Sequence, residues 1–238
     1  MIDRSNISVE ERLILALDVP DAHTARALVE RLGDSVGFYK IGLELFLSGA
    51  YFELADWLSQ RGKRVFADLK LFDVPQTVRS AVAQFADKDV TFLTVHGNDA
   101  ILEAAVAAVG PGLSILAVTA LTSLDEADMT DLGFQTDISS LVVSRARRAA
   151  EIGCAGVVAS GLEASLLREA LGDRLLVIVP GIRPGANRAV DDQKRTVDVE
   201  EAFEHGADYI VIGRPIRSAT DPEAAARAVQ ARIRSFFA

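Results

Sequence analysis

The chain has 238 residues, half of them hydrophobic, and no linker rich in Pro, Ser and Gly or in charge interrupts it. We therefore predict a single domain over residues 1–238. The formal net charge of -9 argues against nucleic acid or an anionic membrane as partner, and no apolar run of about 18 residues suggests a membrane span. We expect a small-molecule partner. The N-terminal sequence lacks the apolar core of a signal peptide and Cys154 is the one cysteine, so we expect a cytoplasmic protein.

Strand-like runs rich in Val, Ile, Leu and Phe recur at intervals of roughly 25 residues, the spacing expected when a crossover helix follows each strand. Eight such runs occur in chain order: LILALDV (13–19), GFYKIGL (37–43), RVFADLK (64–70), VTFLTVHG (90–97), SILAVTAL (114–121), GVVAS (156–160), LLVIVPGI (175–182) and YIVIGRPI (209–216).

Helical patterns lie between these runs, and several end in Gly, a common helix C-cap. They cover residues 22–32, 44–62, 75–86, 99–110, 138–153, 162–172, 199–206 and 221–238. Eight alternations of strand and helix predict an α/β fold of the (β/α)8 TIM barrel type. An open doubly wound sheet fits less well, because it more often has about five to seven strands.

Charged residues fall at the ends of three neighbouring strands. The first run carries Asp18, the second Lys40 and the third Asp68 and Lys70, while Asp73 follows in the next loop. In a barrel the C-terminal strand ends form the active-site rim, so these charges should meet there.

Asp68 and Lys70 should point to the same face, because strand side chains alternate with a period of two. Opposite charges at about 4 Å gain roughly 4 kcal/mol at an effective dielectric near 20, before the cost of desolvation. A structural ion-pair network is one interpretation of this cluster. A Mg²⁺ site is another, although the two lysines would repel a divalent cation. A lysine that donates a proton fits the pattern better.

Two later loops have the residues of a phosphate site. Gly181 and Arg183 follow the seventh run, and Gly213 and Arg214 follow the eighth. Many barrels bind phosphate at these two loops through glycine amides and an arginine. The segment 181–195 is long and polar, as functional lids are.

These motifs together resemble the orotidine 5'-monophosphate decarboxylases, in their bacterial form. The resemblance covers essentially the whole chain: LALDV, YKIGLELF, FADLKLFDVPQT, TALTS, VPGIRP, DDQKR and IGRPI. Its most specific part is the pattern D-x-K-x-x-D-[IV]-P-x-T at residues 68–77. The sequence departs from many relatives at Phe72 and Gln76, where they carry His and Asn, and in the VHGNDA turn.

The resemblance implies conversion of orotidine 5'-phosphate (OMP) to UMP and CO₂ without metal or cofactor. It assigns Lys70 as the cation and proton donor for C6, Asp68 as the neighbour of the substrate carboxylate, and Lys40 as the group that holds Asp68 and touches the ribose. Asp18 would accept a hydrogen bond from a ribose hydroxyl. The resemblance also implies a homodimer with shared active sites, into which Asp73 and Thr77 reach from the partner subunit.

The remaining substrate contacts follow from the same resemblance. Thr122 and Ser123 would address the pyrimidine, and Gln193 would bridge the base and the phosphate. The contacts at the phosphate end are Pro180, Arg183, Gly213 and Arg214.

Two other functions stay open at this point. A Mg²⁺-dependent sugar-phosphate decarboxylase or synthase of the same suprafamily would place an acid at the end of the second strand, where this chain has Lys40 and, nearby, Glu44. A non-catalytic phosphate-binding barrel is the third possibility. The role of His96, at the end of the fourth run, is also open.

Overall fold

Eight parallel strands pair in sequence order, and the last pairs with the first, in the computed structural model, which describes residues 4–185 and 195–238. This confirms the predicted (β/α)8 barrel. The strands are β1 Leu13–Ala16, β2 Phe38–Gly42, β3 Arg64–Leu71, β4 Phe92–His96, β5 Ser114–Val118, β6 Gly156–Val158, β7 Leu176–Val179 and β8 Tyr209–Ile212.

Most strands are shorter at their C-terminal ends than the apolar runs predicted. Asp18 lies two residues beyond β1, although the backbone N–H of Leu17 still donates to the carbonyl of Lys40 at 2.9 Å. Apolar and small residues that follow the last paired ones, such as Ala120, Leu121 and Pro180, line the cavity at the barrel mouth, so the apolar runs continue past the strands. A sequence pattern cannot separate these residues from the strand itself.

Eleven α-helices are seen in the described part of the chain. They are α1 Ala22–Leu32, α2 Leu43–Leu47, α3 Tyr51–Ser59, α4 Pro75–Ala83, α5 Asp99–Val106, α6 Glu126–Asp131, α7 Ile138–Ile152, α8 Ala164–Leu171, α9 Val199–Glu204, α10 Arg214–Arg217 and α11 Pro222–Phe237.

Three helical features differ from the prediction. The pattern over 44–62 is two helices, because Gly49 adopts a φ of 87° between α2 and α3 and ends the first of them. A reciprocal capping box between Asp125 and Asp128 begins the unpredicted α6. The run 209–216 leaves the sheet after Ile212, and Pro215 then stands in the first turn of α10.

Two apolar layers hold the barrel together. The larger lies between the strands and the surrounding helices, and a smaller one fills the barrel interior. In the interior, the rings of Phe38, Phe92 and Tyr209 pack with centroids 5.5 to 5.9 Å apart. This aromatic layer closes the barrel beneath the rim. No helix among the described residues is long and apolar enough to cross a membrane.

Candidate active site

A cavity of about 270 Å³ opens at the C-terminal ends of the strands. Charged side chains from β1 to β3 lie on one side of it, and residues after β7 and β8 lie on the other. The predicted residues that line it are Asp18, Lys40, Asp68, Lys70, Thr122, Ser123, Pro180, Gly181, Arg183, Gly213 and Arg214.

The strand period explains how polar groups come to stand above an apolar barrel interior. Phe38, Phe66 and Phe92 face inward in β2, β3 and β4. Two residues further along these strands are Lys40, Asp68 and Thr94, which therefore point to the same side. The barrel interior thus changes from aromatic to polar side chains over two residues of each strand.

Four of the five predicted charges form a continuous chain of alternating sign. Lys40 Nζ lies 2.9 Å from Asp18 Oδ1 and 3.3 Å from Asp68 Oδ2. Lys70 Nζ lies 2.8 Å from both oxygens of Asp68. Of the two carboxylates in this row of charges, Asp68 is the more buried and Asp18 the more exposed, with 11% and 48% of their side chains accessible. The prediction that these charges meet at one rim is confirmed for these four.

Asp73 does not line this cavity in the described part of the chain, contrary to the expectation that it would approach the cluster from the following loop. Its Oδ1 accepts a hydrogen bond from the backbone N–H of Val74 at 2.6 Å, and the residue is exposed. Thr77 lies in the first turn of α4, is also exposed and is likewise not among the lining residues described. Within a single chain, neither residue is among those that line the cavity with Lys70.

Lys70 has an unusual backbone conformation. Its φ of 47° is the one positive value among the described non-glycine residues, and the β3–β4 register shifts between Ala67 and Leu71. The regular alternation that we expected for Asp68 and Lys70 is therefore broken, yet the irregular backbone still brings the two side chains together. Strained backbone at a charged cluster is typical of functional sites.

Thr94 supports this irregular segment and was missed from the sequence. Its hydroxyl accepts a hydrogen bond from the backbone N–H of Lys70 at 2.9 Å and donates one to Asp68 Oδ1 at 3.0 Å. Thr94 is fully buried. Its position two residues after the inward-facing Phe92 was the available signal, because it marks a polar side chain inside the barrel.

The ionised forms of Lys40 and Asp68 stabilise each other. Burial alone would lower the pKa of Lys40, but the carboxylates of Asp68 and Asp18 outweigh burial and raise it. Burial alone would raise the pKa of Asp68, but Lys40 and Lys70 outweigh burial and lower it. Both groups are therefore ionised at neutral pH.

The donor set does not fit a divalent cation. The ammonium of Lys40 already lies between Asp18 and Asp68, where a cation shared by these carboxylates would stand. Glu44, the acid that kept the Mg²⁺ alternative open, is exposed in α2 and outside the described cavity lining. Within 4–185 and 195–238, no three His, Cys, Asp or Glu side chains come together as a metal site.

The other side of the cavity is rich in guanidinium groups. Arg183 and Arg214 line it as predicted, and Arg217, which the sequence analysis missed, lines it as well. Nη1 of Arg217 is buried and has no hydrogen-bond partner among the described residues. A buried guanidinium nitrogen without a partner favours an anionic ligand at this end. Gln193 lies outside the described residues.

His96 lies beside the main cavity rather than in it. Its ring packs against Phe72 with centroids 5.5 Å apart, and both residues line a separate cavity next to Arg145. Burial, Arg145 and Lys70 lower the pKa of His96 below its ordinary value of 6.5, so the ring is neutral at pH 7.

Comparison with known proteins agrees with this geometry. The family model described as Orotidine 5'-phosphate decarboxylase / HUMPS family matches residues 11–229. The chain belongs to this family. Among curated relatives, the orotidine 5'-phosphate decarboxylase of Methylococcus capsulatus is 60% identical over 232 residues, which cover 98% of this chain and 96% of that protein.

More distant members of the orotidine 5'-phosphate decarboxylase family also match over nearly the full length. The enzyme of that name from Stenotrophomonas maltophilia is 50% identical over 96% of this chain and 95% of its own. The crystal structure of orotidine 5'-phosphate decarboxylase from Lactobacillus acidophilus superposes with a TM-score of 0.81 at 34% identity, covering 96% of this chain and 100% of that one.

Proposed function

We propose that this chain decarboxylates OMP to UMP and CO₂, the step that forms UMP in pyrimidine biosynthesis. The observation that carries the proposal is the ammonium of Lys70, held 2.8 Å from both oxygens of Asp68 in a cavity whose far side presents arginines. Such a site can bind a phosphorylated ligand at one end and act on it at the other.

The chemistry explains why a fixed ammonium is needed. When the bond between C6 and the carboxylate breaks, CO₂ leaves and its electron pair stays at C6 in the plane of the ring. The ring π system cannot delocalise that pair, so a cation placed beforehand stabilises it. Lys70 then donates its proton to C6, giving UMP, and the neutral amine regains a proton from solvent.

Asp68 has two roles in this account. It orients the Lys70 ammonium through both oxygens, and it lies where the substrate carboxylate would be close to it. Repulsion between two carboxylates disfavours bound OMP, and it is relieved as CO₂ departs. Lys40 keeps Asp68 ionised, because its ammonium lowers the carboxylate pKa together with Lys70.

The remaining contacts position the nucleotide. Asp18, which is more exposed than Asp68, accepts a hydrogen bond from a ribose hydroxyl, with Lys40 beside it. Thr122 and Ser123 contact the pyrimidine, and Gln193 bridges base and phosphate. The residues proposed for the phosphate end are Pro180, Arg183, Gly213 and Arg214. Binding energy from the remote phosphate can then contribute to the chemical step.

A homodimer with shared sites completes the proposal. Asp73 and Thr77 would act in the partner subunit's cavity, since neither lines the cavity of its own chain as described. Phe72 and Val74, which flank Asp73, are 68% and 63% exposed, and large apolar side chains beside a charged loop favour contact with a second copy. The cytoplasmic location expected from the N-terminal sequence remains a prediction.

The direct test follows the loss of OMP absorbance with purified protein in the presence of EDTA. The proposal predicts decarboxylation at a rate that EDTA does not change. Activity that disappears with EDTA and returns with Mg²⁺ would instead favour metal-dependent chemistry. A protein that binds UMP but leaves OMP intact would be a non-catalytic barrel.

A further inference from the structure

A buried ion pair lies behind the cavity, outside the charged chain at the rim. Arg195 Nη1 contacts Glu163 Oε1, and the two side chains are only 11% and 5% exposed. Glu163 is the N-cap residue of α8, in the loop that follows β6. Arg195 belongs to the described segment 195–198 that leads into α9.

Arg195 makes a second contact, toward the pyrimidine side of the cavity. Its Nη2 donates a hydrogen bond to the carbonyl of Leu121 at 3.0 Å. Leu121 lines the cavity and is followed directly by Thr122 and Ser123, which line it too. One guanidinium therefore fixes the start of the segment that would contact the base.

The backbone next to Arg195 contacts the phosphate side. Val197 forms a parallel bridge with Ile182, and its carbonyl accepts from the backbone N–H of Arg183 at 2.9 Å. Arg195 thus stands between two cavity-lining segments, one holding Arg183 and the other holding Thr122. The described contacts connect these segments through a short stretch of chain.

This junction is closely fitted. A Cβ added at Gly161 would lie 2.4 Å from Cγ2 of Val197, so only glycine permits the segment 195–198 to pack against the loop after β6. Nδ1 of His205 lies 2.8 Å from the carbonyl of Gly161. The segment has little room to shift independently of its neighbours.

Stability alone explains this ion pair poorly. Oε2 of Glu163 and Nε of Arg195 are buried and have no hydrogen-bond partner among the residues that the structure describes. An incompletely bonded buried pair is often less stable than apolar residues of similar volume. What the pair does supply is a fixed geometry between two segments.

We propose that Arg195 is a positioning residue that couples the phosphate side of the cavity to the pyrimidine side. Binding of a 5'-phosphate near Arg183 then helps to place Thr122 and Ser123 against the base, through Val197, Arg195 and Leu121. This inference rests on the proposed decarboxylation of OMP. Its distinctive consequence is that Arg195 matters for OMP far more than for the same nucleoside without its phosphate.

The test compares kcat/KM for OMP with kcat/KM for orotidine in wild type, Arg195→Met and the double variant Arg195→Met/Glu163→Gln. The double variant removes the unpaired carboxylate that the single change leaves. We expect the OMP-to-orotidine ratio to fall by about tenfold or more in both, within the usual range of coupling between sites. Arg195→Lys, which keeps a cation able to reach Glu163 or Leu121, should recover part of the ratio.

Arg232→Met is the matched control. Arg232 also forms an ion pair at α9, with Glu200, but its contacts are with Asp198 and Glu200 rather than with a cavity segment. The OMP-to-orotidine ratio of Arg232→Met should stay within about twofold of wild type, since surface pairs contribute little. If Arg195→Met does not fold, Glu163→Gln decides the matter by the same ratio.

An unchanged ratio in the folded variants would overturn the inference, even if both activities fell equally, because an equal fall is what a purely structural role produces. A failure of the proposed function looks different. In that case the wild-type protein itself would not decarboxylate OMP.

Discussion

Thr94 contacts Lys70 through the backbone, accepting its N–H at 2.9 Å, while the same hydroxyl donates to Asp68 at 3.0 Å. One side chain therefore fixes both the backbone of Lys70 and the carboxylate that orients its ammonium. The contact lies at the residue whose φ of 47° departs from the strand. We infer that Thr94 stabilises the strained conformation in which Lys70 reaches the cavity.

Replacing Thr94 by Val should lower kcat for OMP by about 10-fold to 100-fold, because a small displacement of the reacting group is costly. Thr94→Ser keeps the hydroxyl and should stay within about threefold of wild type. Steady-state kinetics on folded protein checks both. Equal activity of the Val variant and wild type would show that the hydroxyl does not position Lys70.

The sequence predicted the barrel and most of the cavity because both depend on local periodicity. Apolar runs set the eight strands, and the strand ends gave Asp18, Lys40, Asp68 and Lys70. Thr94 was missed because a threonine in a strand is ordinary until its inward direction is known. Arg195 was missed because Glu163 and Leu121, its two contacts, are 32 and 74 residues away.

Mixed dimers test the proposed sharing of sites. Asp73→Ala and Lys70→Ala protomers should each be nearly inactive alone. When exchanged at equal amounts, they should recover about a quarter of wild-type activity, because half of the dimers are mixed and each mixed dimer has one intact site. The assay is OMP turnover after subunit exchange verified by mass spectrometry. Exchange without recovery would count against a shared site.

Asp208 should matter for stability and not for chemistry. It is fully buried just before β8, at the barrel end opposite the cavity, and it pairs with Arg4 and Arg168. Asp208→Asn should lower the free energy of unfolding by about 3 kcal/mol or more, since it leaves buried cations poorly compensated. Urea unfolding measures this change.

Asp173→Asn is the control for that measurement. Asp173 pairs with Arg4 in the same cluster but is 61% exposed, so its loss should change the free energy of unfolding by less than about 1 kcal/mol. The kcat of the folded Asp208→Asn protein should match wild type. Equal stability of the two variants would contradict the assignment of Asp208 as the centre of the cluster.

His96 should make stability depend on pH below its ordinary pKa of 6.5. Its pKa is lowered in the folded state by burial, Arg145 and Lys70, so the unfolded chain binds a proton first as pH falls. Stability from His96 is therefore present above pH 6.5 and declines below it, down to the folded-state pKa. Plotted against pH over this range, the free energies of unfolding of wild type and His96→Gln should have different slopes. Parallel curves would show that the ring titrates normally.

The central claim is that the Lys70 ammonium, held by Asp68, protonates the carbanion left by CO₂. The most direct measurement pairs UMP binding by calorimetry with OMP turnover in Lys70→Ala. We predict UMP affinity within about tenfold of wild type and a kcat lower by at least about 10⁴-fold, because both the cation and the proton source are lost. Turnover within tenfold of wild type in that variant would contradict the account.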